Sequence, residues 1–234
     1  MSYNQADMSL PEGFANVVRL FPLPNLVLFP GVVQALHVFE PRYVEMMEDA
    51  LADDNLITMA LIKPDSQKAT ENGPEIASTV CVGKVLSHTE LPGGKFNLFL
   101  VGTKRAKIIQ EIDVGTPYRM AKVQIVEEVK DDSLDQTILR HQIVTEFRKL
   151  AALQTSWNHE ALDPFLDDDL PLGQLIDMIG YASGADPGEQ QLILETPEVG
   201  QRGELVLQVL KRRVQANNQE RTDGRSFPPD FSLN

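Results

Sequence analysis

The sequence has one cysteine, Cys81, in 234 residues. An intrachain disulfide is therefore excluded, and so is a zinc knuckle built on paired cysteines. No run of about 18 uncharged apolar residues occurs, so no segment reads as a membrane-spanning helix. The first twenty residues also lack a basic segment followed by an unbroken apolar stretch, the mark of a secretory signal. These absences together favour a cytoplasmic protein in a reducing compartment, with no membrane partner. Basic side chains are scarce as well: 21 Lys and Arg stand against 34 Asp and Glu, a formal charge of −13. Binding nucleic acid through its phosphates needs clustered cations, so this balance argues against it. Between Lys149 and Arg202 there is no Lys or Arg at all, while carboxylates recur at Glu160, Asp163, Asp167, Asp168, Asp169, Asp177, Asp186, Glu189, Glu195 and Glu198. The run reads as a solvated acidic face, and its sharper alternative is a docking face for a basic partner.

The side-chain patterns that carry chemistry are missing too. A phosphate cradle needs a Gly-rich loop ending in Gly-Lys-Ser/Thr, and the nearest string, Gly93-Gly94-Lys95-Phe96, lacks both hydroxyl and spacing. The histidines are His37, His88, His141 and His159. His159-Glu160 supplies only the first half of a zinc-protease helix. Asp167-Asp168-Asp169 lacks the alternating ligands of a calcium loop and reads as the acidic entry to a helix, where carboxylates offset the dipole. Cys81, inside Thr79-Val80-Cys81-Val82-Gly83, reads as a small strand hydrophobe, and His37, between Leu36 and Val38, as a satisfied strand histidine. No catalytic residue, metal ligand or cofactor is expected.

What the sequence does have is an apolar run from Arg19 to Tyr43 broken by Pro22, Pro24, Pro30 and Pro41. Each proline fixes φ and removes a donor, so the run is short extended pieces, a Pro30-Gly31 turn, and a helix opened by Pro41. Glu40 is placed to cap that helix while Arg42 pairs with a neighbouring carboxylate or carbonyl. The helix is expected from Pro41 to about Asp53, with Tyr43, Met47, Ala50 and Leu51 as its stripe. Strand alternation follows: Ile57, Met59 and Leu61 against Thr58, Ala60 and Ile62; Phe96, Leu98 and Leu100 against Asn97, Phe99 and Val101; Val123 and Ile125 against Lys122 and Gln124. Leu91-Pro92-Gly93-Gly94 reads as a hairpin turn and residues 64–74 as a polar loop. Strands of this length suggest a small barrel or a sandwich.

Near Asp131 the period changes. Ser133 and Gln136 fit a capping box, and Leu139, Ile143, Phe147 and Leu150 repeat at helical spacing. Further helices are expected through Leu172, Leu175, Ile176 and Ile179 with a stop at Gly184, after Pro187, and from Thr196-Pro197 through Leu207, Leu210 and Val214. The expected organisation is α+β: a mobile start over 1–15, a β-rich lobe with one helix over 16–130, an all-helical lobe over 131–217, and a disordered tail over 218–234.

Phe21-Pro22-Leu23-Pro24, Leu28-Phe29-Pro30-Gly31 and Phe39-Glu40-Pro41-Arg42-Tyr43, in that order and spacing, resemble the opening of the Lon protease N-terminal substrate-binding domain. Gln191-Leu192-Ile193-Leu194-Glu195-Thr196 and Arg202 resemble that family's helical-lobe signature, so the resemblance covers roughly residues 17–212. It implies a PUA-like β-barrel lobe followed by a helical lobe, in a stand-alone form without the ATPase and protease modules. Lon's protease module uses a Ser-Lys pair, and its serine motif has no counterpart around Ser66, Ser78, Ser87, Ser133, Ser156 or Ser183. The function implied is a non-catalytic module that binds unfolded or extended polypeptide. Phe21, Leu23, Leu26, Phe29 and Met47 are candidates to grip it, and Phe39, Glu40, Pro41, Arg42 and Tyr43 form the structural motif. Alternatives are an adaptor docking on a separate protease or ATPase, and an enzyme with an inter-lobe pocket drawing on His88, Glu90 or His141. Nothing in the sequence sets the oligomeric state.

Overall fold

The structure is a computed structural model that describes residues 9–64, 73–130, 135–153 and 170–223, with side chains through 219. Its elements run β1 (Val17–Leu23), β2 (Val33–Val38), α1 (Pro41–Ala52), β3 (Leu56–Leu61), β4 (Thr79–Leu91), β5 (Lys95–Ile112), β6 (Arg119–Val126), α2 (Gln136–Leu153), α3 (Leu172–Ala182), α4 (Pro187–Glu195) and α5 (Val199–Asp223). Among the described residues the architecture is α+β, a mixed six-stranded sheet with five helices. The strand order is β2-β5-β4-β3-β1-β6, with β5 pairing β6 as well. Only β1 and β3 run parallel; the other pairings are antiparallel.

The long β5 makes this arrangement possible. Its first part, Phe96 to Val101, pairs with β2, and its second, Arg105 to Ile112, with β6. Register shifts at Val82/Gly83 and Val85/Ser87 in the β4–β5 ladder bend the hairpin, as bulges do. The hairpin turns at Gly93 and Gly94, with φ of 85° and 71°, which only glycine adopts without strain.

The alternation in β3 acquires a physical meaning here. Ile57, Met59 and Leu61 enter a large core shared with the helices, while Leu56 and Ala60 enter a second, smaller one. The whole strand is buried on both faces. The second core is lined by small and β-branched side chains from five strands, Ala60, Ala106 and Ala121 among them, which lets those strands approach closely. Leu10 and Phe14, inside the stretch expected to be mobile, pack against it.

The proline-broken run is tied into the sheet at Gly102. The Gly31 N–H donates to the Gly102 carbonyl (2.8 Å) and the Gly102 N–H to the Val32 carbonyl (2.9 Å). A Cβ at Gly102 would sit 2.0 Å from the Phe29 carbonyl oxygen, so the backbones meet only because this residue has no side chain.

In the helical part, Leu139, Ile143, Phe147 and Leu150 are buried, as their spacing requires. Ser133 lies outside the described residues; among those described, Asp135 opens α2, its carboxylate accepting from the N–H groups of Thr137 (3.0 Å) and Ile138 (3.1 Å). Helix α4 begins with Pro187 behind a capping box of Asp186 and Glu189. Helix α5 runs on to Asp223, so residues 218–223 of the expected tail are helical, and 224–234 lie outside the described residues. Also outside are residues 65–72 of the expected polar loop and the expected features at His159, Glu160, Asp163 and Asp167 to Asp169. None of the described helices is long and apolar enough to cross a membrane.

Candidate functional site

The five side chains expected to grip a polypeptide do not form one surface. Phe21, Phe29 and Met47 are at most 4% exposed and belong to the large core, while Leu23 and Leu26 are partly buried against it. A side chain closed in by its own fold has no face left to offer, so Phe21, Phe29 and Met47 build the lobe. Their alternation and helical stripe signalled burial; only the family resemblance suggested contact.

The motif over residues 39–43 divides its work differently from its reading in sequence. Glu40 occupies the N-cap of α1, but its carboxylate makes no capping bond. Instead its Oε2 accepts from Arg42 Nε (3.1 Å) and Nη2 (2.8 Å), and the backbone carbonyl of Glu40 receives the N–H groups of Tyr43 and Val44. The Arg42 guanidinium then lies 4.4 Å from the centre of the Tyr43 ring, which is buried 4.5 Å from that of Phe21. Burial raises the Tyr43 hydroxyl above its ordinary range, with Arg42 pulling the other way. Phe39 turns outward, 57% exposed, and Pro41 and Arg42 are exposed as well.

Phe39 borders a surface that the sequence did not single out. The β2–β5–β4 register aligns Ala35 with Phe99 and Ser87, and His37 with Asn97 and Thr89, so these six share one outward face. They line a depression of about 500 Å³. Phe99 is 51% exposed there. His37 Nδ1 lies 2.7 Å from Asn97 Oδ1, and its ring stacks on Phe39 at 5.6 Å. The signal was present in the alternation, which sets Phe99 on the same side as Asn97, opposite the buried Leu98 and Leu100.

A second concavity of about 460 Å³ lies between the sheet and α3, lined by Arg105, Glu128, Gln174 and Asp177 among others. Beneath it Arg105, Asp177 and Arg202 are almost fully buried. Asp177 accepts from Arg105 Nη2 and lies 3.0 Å from Arg202 Nε; Glu128 takes Arg202 Nη2. Arg105 also reaches the Leu194 carbonyl (3.0 Å), and Arg202 those of Thr196 (3.0 Å) and Pro197 (3.2 Å). These contacts lock β5 and the segment after β6 to α3, α4 and α5, with Arg202 Nε held beside Asp177 as an ion pair and not as a hydrogen bond. His88, Glu90 and His141 are exposed, and none of them lines this concavity. Cys81 is buried, and that burial pushes its thiol up to about 12, far from reactive. No group of three or more His, Cys, Asp or Glu that would hold a metal occurs among the described residues.

Comparison with known proteins bears on this geometry. Residues 17–212 match the family model described as the ATP-dependent protease La (LON) substrate-binding domain. The Lon protease of Dictyoglomus thermophilum is 26% identical over 211 residues, covering 90% of this chain and 26% of its own length. The chain thus spans about a quarter of that curated relative. Among solved structures, the N-terminal domain of Mycobacterium avium complex Lon protease superposes with a TM-score of 0.63 at 18% identity, covering 83% of this chain and 98% of that one. A Lon N-terminal domain protein from Xanthomonas campestris gives 0.59 at 19% identity, over 82% and 96% of the respective chains. Both are similarities of fold.

Proposed function

The chain belongs to the family of ATP-dependent protease La (LON) substrate-binding domains, and from that premise we propose that it is a non-catalytic module recognising unfolded or extended polypeptide. The observation that carries this reading is the extent of the match, residues 17–212, which takes in every strand and most of the helical part. The outward face with Phe39 and Phe99 supports it, since exposed aromatic rings beside polar groups suit contact with apolar side chains of a non-native chain. We read the cycle of pairings β5-β4-β3-β1-β6-β5 as the PUA-like barrel, with residues 16–130 as the β-rich lobe and 131–217 as the helical lobe. A lone buried thiol fits the cytoplasm as its compartment.

Crosslinking to reduced, carbamidomethylated lactalbumin, with native lactalbumin as comparison, tests this reading. The unfolded form is expected to crosslink and to compete with itself in unlabelled form, and the native form to do neither. Equal indifference to both forms refutes the reading.

A further inference from the structure

Strand β2 has one partner where every other strand has two or three: among the described residues it pairs with β5 alone. Open edges in native sheets are commonly blunted with charge, proline or a bulge. β2, reading Val33-Gln34-Ala35-Leu36-His37-Val38, carries no charged residue and no proline, and its register with β5 runs without a shift. The outer half of β4, beyond its register with β3, does carry such a guard in Glu90.

The direction of the backbone groups follows from the ladder. The Gly102 N–H donates to the Val32 carbonyl, and the register sets Gln34 opposite Leu100 and Leu36 opposite Leu98. In an antiparallel pair the bonded positions alternate, so Gln34, Leu36 and Val38 direct their amides at β5. Val33, Ala35 and His37 direct theirs at the open side. Of these groups the Ala35 carbonyl is engaged locally, by Gln34 Nε2 at 2.8 Å, a side-chain bond that an incoming backbone N–H replaces in kind. The side chains of Ala35 and His37 lie on the face that carries Phe99, with Phe39 stacked at its end.

We propose that the open edge of β2 takes an extended polypeptide segment as an added strand, whose alternate apolar side chains lie against Phe99 and Phe39. The proposal rests on the function proposed above and names the surface that performs it. An outward row of donors and acceptors repeating every second residue is complementary to an extended backbone. Charge narrows the occupant further: β2 is uncharged, Glu40 beside it is neutralised by Arg42, and the chain as a whole carries −13. Its field therefore favours an apolar segment with basic flanks over an acidic one.

The test uses a fluorescein-labelled peptide of alternating Phe and Thr with Lys at both ends, titrated against the full chain by anisotropy. Two derivatives carry N-methyl groups, one on the two central Phe residues and the other on the two central Thr residues. Strand addition predicts that one derivative loses about tenfold or more in affinity while the other stays within about twofold, because only alternate amides face β2. Ala35→Pro deletes an outward N–H and leaves the ladder to β5 intact, so it is expected to remove binding. Should circular dichroism show that this variant is unfolded, the methylated peptides decide the matter on the unaltered protein. Equal behaviour of the two derivatives, with the parent peptide still bound, overturns the β2 site and leaves polypeptide recognition standing. No binding of the parent peptide up to about 1 mM overturns both. A self-association abolished by Ala35→Pro also overturns the proposal, since β2 then pairs with a second copy.

Discussion

Replacing Asp177 with Asn tests whether the ion network holds the helices to the sheet. Asp177, Arg105 and Arg202 have side chains 1%, 3% and 0% exposed, while Glu128, the fourth member, is 37% exposed. Burial holds the Asp177 carboxyl above its ordinary value, and contact with Arg105 and Arg202 opposes that rise. With two permanently charged guanidiniums against it, the ionised form is the one that balances the site. The Asn variant keeps the shape and removes the charge, leaving two buried cations to share one half-exposed carboxylate. Breaking a buried pair in this way costs about 3–5 kcal/mol, a large part of the ~5–15 kcal/mol that holds a domain folded. With a urea dependence of roughly 2–3 kcal/mol per molar, the midpoint falls by about 1–2.5 M. Urea unfolding followed by far-UV circular dichroism reads this directly. The double variant Arg105→Met/Asp177→Leu removes both members of one buried pair and leaves Arg202 with Glu128, so it is expected to recover more than half of the loss. An Asn variant within about 0.5 kcal/mol of the parent would refute the network as the anchor.

Gly102→Ala places a methyl 2.0 Å from the Phe29 carbonyl oxygen, and relief requires moving backbone on one side of the Pro30–Gly102 bridge. A loss of about 3 kcal/mol or more is expected, seen as a melting temperature roughly 6–12 °C lower; an unchanged melting point would show that the two segments slide apart freely. Cys81 is expected to resist a disulfide reagent at pH 8 until urea unfolds the chain. Its folded value of about 12 lies above the unfolded 9.0, so its contribution to stability is whole below pH 9 and is lost as the pH climbs toward 12. Cys81→Ala flattens that alkaline loss, and prompt stoichiometric labelling of the native chain would contradict the burial.

Local rules made much of this fold legible. Proline positions located the turn before β2 and the start of α1, paired glycines located the β4–β5 hairpin, and helical periodicity picked out the buried stripe of α2. Two things were beyond them. The alternation of β3 shows which residues share a face, but not that both faces are covered, because the second cover comes from strands distant in sequence. Arg105, Asp177 and Arg202 read as ordinary charges on a strand and two helices. Their burial depends on three segments meeting, and 72 residues separate Arg105 from Asp177. Arg202 belongs to the stretch that resembles the family's helical lobe, yet only the packing shows what it holds.

The candidate surface was hidden for a related reason. Several of the apolar residues that make the opening run recognisable close the core of the lobe: Phe21, Phe29 and Tyr43 lie inside it, as does Met47 beyond the run. A recognition surface must instead keep its apolar groups in water and its backbone unpaired, and both conditions work against stability and solubility. Phe39 and Phe99 meet the first condition, and β2 meets the second within the same patch. Neither ring is needed to close a core, and a charged residue in β2 would guard its edge at little cost to the fold. Exposure at Phe39 and Phe99, together with an unguarded edge on the neighbouring β2, is therefore better explained by contact with another chain than by the folding of this one.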